Sequence, residues 1–575
     1  MFLPLEKKKT LVADCSLLSN IHTKRNIEKE VRITLLQMQR LTVALVAASL
    51  LVASSHATRY HVLQDAPRKL RVIAQVNDVV PLDFTDPSVV ITGEFNETIM
   101  QTGWYTLKLT SNGNYSDEDQ AYAAGYFEGI VSSLPAQQHY LNHYTGNPVP
   151  DNINQWLAQH IVWVEGQIQA NNATDPYWHQ VGLMWSQFYG LLDGINQEAT
   201  LQNFTAVQLL ALTAMGDMFD LEAALVPSSR YRADWRSMKK KDFDHWFAKN
   251  THCSSLYKVT DDLSDIFFGH AAWYNFNTMV RIFKHLTMNY NDVMTVSKTI
   301  SYSSYPGMLS SFDDFYLTNT GINAIETSLE VFNLTMYEGN INPQSVLYWT
   351  RVMIATRSAT SAPDWATTMA KYNSGTYNNQ WMILDLSLFT PHKPLLPNTM
   401  WVCEQLPGIV KSRDVTEMLR YGYYPSYNVP MDEELFVWAG YAETVAVQGP
   451  EMNDYQTCVR AEIFRRDQGK VKDLESFQHI MRYNDYEQDP ISNGNPLYAI
   501  ASRVDLDPEQ PQCFGALDAK ISSYSLWKAG QSIVTQSGPT QQQPVFEFNN
   551  TLAPDCGLHA GIPEVFRFGW YTQQP

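Results

Sequence analysis

Cys253-Ser-Ser-Leu-Tyr-Lys-Val-Thr-Asp-Asp-Leu-Ser-Asp-Ile-Phe-Phe-Gly-His270-Ala-Ala-Trp273 is the stretch on which the reading of the chain turns. Its alternation predicts a strand over 253–259, a turn at Thr260-Asp261-Asp262 and a returning strand from Ser264 to His270. A thiol thus stands at the first position of a strand, with an imidazole on the returning strand. The preceding segment, 227–252, differs in kind. It carries Arg230, Arg232, Arg236 and Lys239-Lys240-Lys241 with few aliphatic residues. It reads as a solvated loop or helix face, or as a protease-sensitive linker. Further upstream the pattern is helical. Ser116-Asp-Glu-Asp119 is a helix start, followed by helical spacing over Ala121–Leu134, Ile153–Gln169, Tyr177–Ile195 and Thr205–Leu225. Trp156, Trp163, Met184, Trp185, Met215 and Met218 on these helices are expected in the core.

Composition bounds the function. The chain has 575 residues, 45% hydrophobic and 17% charged, with a formal net charge of −18. There is ample apolar material for a core, which excludes a disordered chain. No Lys/Arg-rich face is available for nucleic acid. Leu41–Ala53 lacks charge and is preceded by Arg40. With Ser55-His-Ala57 after it, residues 38–57 read as a secretory signal peptide, and 1–37 as an upstream extension or alternative start. An uncleaved signal anchor with basic flanks is the rival reading. Without residues 1–57 the chain keeps 33 Lys/Arg against 55 Asp/Glu, a net −22. Sequons at Asn96, Asn114, Asn172, Asn203, Asn333 and Asn549 fit a secreted or lysosomal glycoprotein. Five cysteines follow the signal: Cys253, Cys403, Cys458, Cys513 and Cys556. An odd number leaves at least one thiol unpaired, and Cys513 with Cys556 is one of several pairings open.

The common catalytic signatures are missing. There is no G-x-S-x-G elbow, no H-E-x-x-H, no C-x-x-C and no P-loop, so a serine lipase of the α/β-hydrolase type and a zinc site have little support, and no metal or organic cofactor is implied. Asp313-Asp314 and Asp261-Asp262 read as structural carboxylates rather than a glycosidase pair.

The segment from Cys253 to Asn275 resembles the nucleophile region of the phospholipase B-like proteins. The likeness continues through Ala124-Gly-Tyr-Phe-Glu-Gly129, Ser303-Ser-Tyr-Pro-Gly307, Asp313-Asp-Phe-Tyr316, Asn373-Ser-Gly-Thr-Tyr-Asn-Asn-Gln-Trp381 and Glu404-Gln-Leu-Pro-Gly408. It extends to Pro425-Ser-Tyr-Asn-Val-Pro430, Arg460-Ala-Glu-Ile-Phe-Arg-Arg-Asp467, Met481-Arg-Tyr-Asn-Asp485 and Ser537-Gly-Pro-Thr540, spanning roughly residues 70–575. The resemblance implies an α+β fold of the N-terminal nucleophile hydrolase type, an αββα sandwich of two stacked antiparallel sheets flanked by helices. A helical N-terminal part, 58–226, would precede the linker 227–252 and a C-terminal chain 253–575. It also implies self-cleavage between His252 and Cys253, with trimming of the linker and the two fragments staying together. Cys253 would then be nucleophile and, through its α-amine, base. By the same resemblance Asn428 is the oxyanion donor, Arg460 orients the Cys253 end, and His270, Trp273 and Ser328 line the substrate pocket. Where the family pattern has Thr, this chain has Ser328. The implied activity is removal of fatty acyl chains from phospholipids. An amidase acting on N-acyl lipids or other linear amides, and a weakly catalytic lipid-binding glycoprotein, are the alternatives. Membrane contact would be peripheral.

Overall fold

The hairpin expected around the Thr260 turn forms the centre of a sheet. In the computed structural model, which describes residues 58–74, 84–251, 253–554 and 556–575, strands β5 (Ser254–Val259) and β6 (Ile266–Ala271) pair antiparallel, Ser254 opposite Ala271 and Val259 opposite Ile266. The turn is closed by Thr260, whose backbone N–H donates to Asp265 O at 3.0 Å while its Oγ1 accepts from Asp265 N–H at 3.0 Å. The signal segment, the upstream extension and His252 lie outside the described residues.

Four strands precede the hairpin: β1 (Thr58–Ala66), β2 (Lys69–Ala74), β3 (Val89–Asn96) and β4 (Tyr105–Ser111). After it come β7 (Trp273–Asn275), β8 (Ile282–Thr287), β9 (Thr299–Ser304), β10 (Phe315–Thr318), β11 (Ile322–Ser328), β12 (Asn379–Asp385), β13 (Met400–Leu406) and β14 (Ile409–Asp414). Then follow β15 (Tyr423–Ser426), β16 (Phe514–Ala516), β17 (Asp518–Ser523), β18 (Ile533–Ser537) and β19 (Tyr571–Gln573). Among the described residues one sheet runs β14-β13-β12-β11-β10-β9-β8-β4-β3-β1-β2 and a second runs β15-β5-β6-β17-β18-β19. Neighbours pair antiparallel except β4 and β8, which run parallel with Tyr105 opposite Ile282.

Side-chain alternation shows how the sheets stack. Tyr257, Val259, Ile266 and Phe268 of the smaller sheet share one apolar cluster with Phe283, Phe315, Leu317, Met382 and Leu384 of the larger. The alternate residues Leu256 and Phe267 face Phe464, Phe477 and Ile480 from flanking helices. On the larger sheet Leu286, Tyr316, Trp381 and Ile383 face Phe188, Trp349 and Trp365. The order is therefore helices, sheet, sheet, helices. Strands covered on both faces read as near-continuous apolar runs, which blurs their period. No helix of the described residues is long and apolar enough to cross a membrane.

Three of the expected helices form over longer spans, Asp117–Tyr144, Asp151–Asn171 and Pro176–Gln197, the first running ten residues past the expected end at Leu134. Ser116 caps the first, accepting from Asp119 N–H. That helix runs past Pro135 with a kink, because proline has no N–H to donate into the preceding turn, and Ser132 departs from helical geometry. The stretch Thr205–Leu225 is two helices, Ala206–Thr213 and Met215–Leu225, meeting at Ala214. The N-terminal part is not helical alone, since it also contributes β1–β4 to the larger sheet.

The helices Asp117–Tyr144 and Pro176–Gln197 meet backbone to backbone. A Cβ added at Gly125 would lie 1.9 Å from Gln187 O, and one at Gly190 would lie 2.1 Å from Tyr122 O. Gly129 and Gly194 face the partner helix in the same way. Alanine gains about 1 kcal/mol of helix propensity over glycine. Overpacking against rigid backbone costs about 1–3 kcal/mol or more and wins. With the added Cβ 2.1 Å from backbone the upper end of that cost applies, so Gly190→Ala is expected to lower stability by a net ~2 kcal/mol in chemical denaturation, and Gly190→Val by more.

The basic segment is not a solvated loop. It folds into short turns at Arg230–Arg232 and Trp235–Ser237 and a helix Lys240–Asn250. Its buried face is aromatic: Tyr231, Trp235, Phe243 and Phe247. Phe247 stacks on Phe332, whose ring meets Tyr441 edge-on. The cations point outward to acids, Arg236 to Glu443 at 2.6 Å and Lys241 to Asp507 at 2.8 Å. The sequence reading weighed aliphatics and charge and passed over these four rings. Cys513 and Cys556 form a disulfide, while Cys253, Cys403 and Cys458 are buried thiols.

Candidate active site

Cys253 lies between the end of the helix Lys240–Asn250 and the start of β5, 2% exposed, in a region of backbone space that non-glycine residues rarely occupy (φ +94°). Its carbonyl is held by Arg460, on the helix Val459–Asp467, whose Nη1 donates to Cys253 O at 2.6 Å. The same nitrogen donates to Asn428 Oδ1 at 2.8 Å and to Ser254 Oγ at 3.3 Å, and Nη2 donates to Tyr427 O at 2.7 Å. The guanidinium lies over the Trp273 ring, 4.6 Å from its centroid. The Trp273 indole N–H in turn donates to Ile500 O. Burial pulls the Arg460 guanidinium down to about 10, so it remains charged at neutral pH.

Arginine can only donate, so the Asn428 amide must present its oxygen to Arg460 and its NH2 to the other side. Nδ2 donates to Ser328 O at 2.8 Å, at the end of β11. The Asn428 backbone is left-handed (φ +69°), a conformation asparagine tolerates, and is fixed at both ends. Its N–H donates to Thr327 Oγ1 at 3.1 Å, and its carbonyl accepts from the Tyr441 hydroxyl at 2.9 Å.

The thiol has two close neighbours. Ligand atoms of Cys253, His270 and Glu326 all lie within 4.8 Å of one another, and all three residues are buried. Burial, with Glu326 adding to it, pushes the Cys253 thiol well above its ordinary range, partly offset by Lys520 and the Trp273 backbone N–H. Burial and the nearby Lys520 ammonium keep His270 far below its ordinary value, although Asp313 and the Glu326 backbone act the other way. Burial and then Asp314 push the Glu326 carboxyl well up. With the chain continuous through this point, the three groups are held neutral.

Besides Arg460, charge is carried by a compensated cluster behind them. Lys520, opposite His270 in the β6–β17 ladder, contacts Asp313 at 2.7 Å and Asp518 at 2.9 Å. Arg281 bridges the same two carboxylates and lies between the rings of Trp104 and Tyr305. Asp314 accepts from the Tyr316 hydroxyl at 3.0 Å. Asp313 and Asp314 are thus tied into the interior.

Cys253, His270, Trp273, Ser328, Asn428 and Arg460 come together from six places in the chain. His252, the other side of the expected scissile bond, is outside the described residues. Of the sequons, Asn114, Asn203 and Asn549 are exposed and Asn96, Asn172 and Asn333 half-buried. Sequence reasoning missed Glu326, Tyr377, Arg281, Asp518 and Lys520. A usable signal existed for Glu326, because period two on β11 puts it on the same strand face as Ser328.

A small cavity of about 20 Å3 adjoins the site, lined by Asp220, Tyr231, Asn250, Ser328, Glu330 and Tyr377 among others. Burial raises Asp217 to about 7, Asp220 to about 6 and Glu330 to about 8. The folded protein then binds more protons than the unfolded chain between about pH 4 and 8, and stability falls as pH rises through that window. Burial lowers His139, His160 and His285 to about 4, 4 and 3, which opposes this effect only below their unfolded value of about 6.5. Between pH 8 and 6.5 the carboxyls act alone. The melting temperature is expected to rise as the pH is lowered from 8 to 6.5, and to level or turn over below that, as scanning calorimetry at stepped pH would show.

The phospholipase B family model matches residues 91–573. Phospholipase B-like protein D of Dictyostelium discoideum is 38% identical over 499 residues, 84% of this chain and 87% of that protein. Phospholipase B-like 1 of Homo sapiens is 36% identical over 498 residues, 84% and 87% of the two chains. Phospholipase B of Crotalus adamanteus is 36% identical over 497 residues, 84% and 88%. With one family model covering most of the chain and relatives aligned along nearly their whole length, the protein belongs to the phospholipase B family.

Proposed function

We propose that this protein is a lipid-hydrolysing enzyme of the N-terminal nucleophile type, removing acyl chains from phospholipids after cutting its own chain between His252 and Cys253. The relatives' names support the substrate class, and the four-layer order of helices and sheets supports the αββα assignment. The observation that carries the reading is the backbone at Cys253. Its φ of +94° is the torsion defined across the bond from residue 252, and strain there costs about 1–3 kcal/mol. Cutting that bond abolishes the torsion and releases the strain, while Arg460 keeps hold of the Cys253 carbonyl.

The chemistry is an N-to-S acyl shift. The Cys253 sulfur bonds to the carbonyl carbon of residue 252, the C–N bond breaks, and the nitrogen keeps its own hydrogen and takes up the thiol proton to leave as a free amine. Water then splits the thioester, leaving a carboxylate on residue 252. The new α-amine, with an ordinary pKa of about 7.7–8.0, takes the thiol proton and the thiolate attacks a substrate acyl carbonyl. Asn428 Nδ2, oriented by Arg460, is the donor for the oxyanion, a role contributing about 3–4 kcal/mol. Water releases the acyl group from sulfur. His270, Trp273 and Ser328 shape the pocket. Loss of segment 227–252 would uncover the cluster around Phe332 and widen the cavity beside Ser328. The amide reading stays in view for one reason: the first bond this site would cut is an amide. The sequons and the N-terminal segment fit a secreted or lysosomal glycoprotein meeting membranes peripherally.

The test is intact mass and N-terminal sequencing of protein secreted from a eukaryotic host, held at neutral and acidic pH, followed by headgroup-resolved product analysis. A fragment beginning at Cys253 with release of fatty acid from phospholipid is expected. Release only from N-acyl lipids would shift the reading to an amidase. An uncut chain at both pH values would overturn the free-amine mechanism and leave a lipid-binding glycoprotein.

A further inference from the structure

The three groups around the thiol come from separate parts of the fold: Cys253 from the start of β5, His270 from β6 and Glu326 from β11 of the other sheet. Their donor atoms lie within 4.8 Å of one another. Tetrahedral Zn2+ with sulfur at about 2.3 Å and nitrogen or oxygen at about 2.0 Å needs donors about 3.5 Å apart, within reach of small side-chain rotations. Neither His270 ring nitrogen has a hydrogen-bond partner of good geometry, nor does Glu326 Oε2, although all are fully buried. Buried polar atoms are nearly always paired, and an imidazole and a carboxyl that each carry unpaired atoms and each bring one donor atom beside a single thiol call for a ligand. Charge fits as well. A dication with one thiolate, one carboxylate and a neutral imidazole sums to zero, and the cluster of Arg281, Lys520, Asp313 and Asp518 behind it is balanced. The mixed sulfur, nitrogen and oxygen set suits Zn2+ and not Mg2+ or Ca2+. Tyr377, on the wall of the small cavity, reaches Glu326 Oε1 at 3.3 Å and marks the side of approach.

We propose that Cys253, His270 and Glu326 form a binding site for a thiophilic divalent cation, Zn2+ above all, which masks the thiol. Binding forms sulfur–metal, nitrogen–metal and oxygen–metal bonds and releases the thiol proton and the Glu326 carboxyl proton to solvent, with no change of oxidation state. The masking consequence rests on the reading of Cys253 as the nucleophile; the binding itself does not.

The full chain, stripped with a chelator, is titrated with Co2+ and then Zn2+. One equivalent of Co2+ should produce a thiolate-to-cobalt charge-transfer band in the near ultraviolet, which Zn2+ abolishes. Cys253→Ala should lose the band. Glu326→Gln and His270→Gln should weaken binding by at least the order of 10–100-fold that loss of even an outer-shell partner costs. Anomalous scattering at the zinc edge from crystals of the unaltered chain locates the ion even where a variant fails to fold. No band, a band that survives in Cys253→Ala, or an ion located elsewhere overturns the site. The zinc-loaded protein should neither cut itself nor turn over until chelator is added. An ion found on these three residues with cutting and turnover undiminished would leave the cation site standing and remove Cys253 from the chemistry.

Discussion

Cys253→Ala is expected to emerge as one uncut chain with lipid turnover at background. Loss of a covalent nucleophile in a hydrolase costs on the order of 10^6 in kcat. Ser254 Oγ beside it is engaged with Arg460 at 3.3 Å, and Cys403 lies on β13 of the other sheet. The variant should fold, because the side chain removed is small and makes no ion pair. A companion, Cys253→Gly, separates strain from chemistry. Glycine occupies φ +94° without cost, whereas alanine there keeps the penalty. The glycine protein is expected to be about 1 kcal/mol more stable than the alanine protein, and equally uncut. Intact mass, a fatty-acid release assay and denaturant titration provide the readings. Substantial turnover in either variant would place the chemistry elsewhere.

Arg460→Met should do the second-largest damage, by a different route. The volume is nearly kept, but four acceptors lose a buried donor: Cys253 O, Asn428 Oδ1, Tyr427 O and, more weakly held, Ser254 Oγ. Leaving such groups unpaired costs about 1–3 kcal/mol each at most, so a loss of roughly 3–5 kcal/mol is expected once the site relaxes. Losing the arginine also frees the Asn428 amide to turn, so its NH2 no longer faces Ser328. Self-cutting and turnover are expected to fall by about 10²–10³-fold, the range measured for loss of an oxyanion donor. Arg460→Lys keeps the charge but not the planar fork, and should recover stability better than rate. Equal recovery of both would mean that the residue serves the fold alone.

How much of this was readable beforehand depends on distance along the chain. The β5–β6 hairpin and the long helices were legible, because turn residues and helical spacing act within a few positions. Strands β1 to β4 were not. Only β4 joins them to the rest of the sheet, through β8, which begins more than 170 residues later, and Gly93 and Asn96 break the apolar run of β3. The linker's aromatic face was visible in the letters but outweighed by its charge. At the site, family likeness supplied Cys253, Asn428 and Arg460, and the fold supplied Glu326 and the Arg281–Lys520 cluster. A carboxyl on a strand ordinarily faces water, and only burial of that strand face by the rest of the fold reverses the expectation.

The parallel seam between β4 and β8 changes character if the chain is severed at Cys253. In one continuous polypeptide, thermal opening of that seam is followed by an intramolecular search along the chain that joins the two strands. In two polypeptides the same event requires a second-order encounter, which dilution slows without limit. The severed protein would hold its shape by the height of its unfolding barrier rather than by the free-energy difference between folded and unfolded states, and each molecule lost would stay lost.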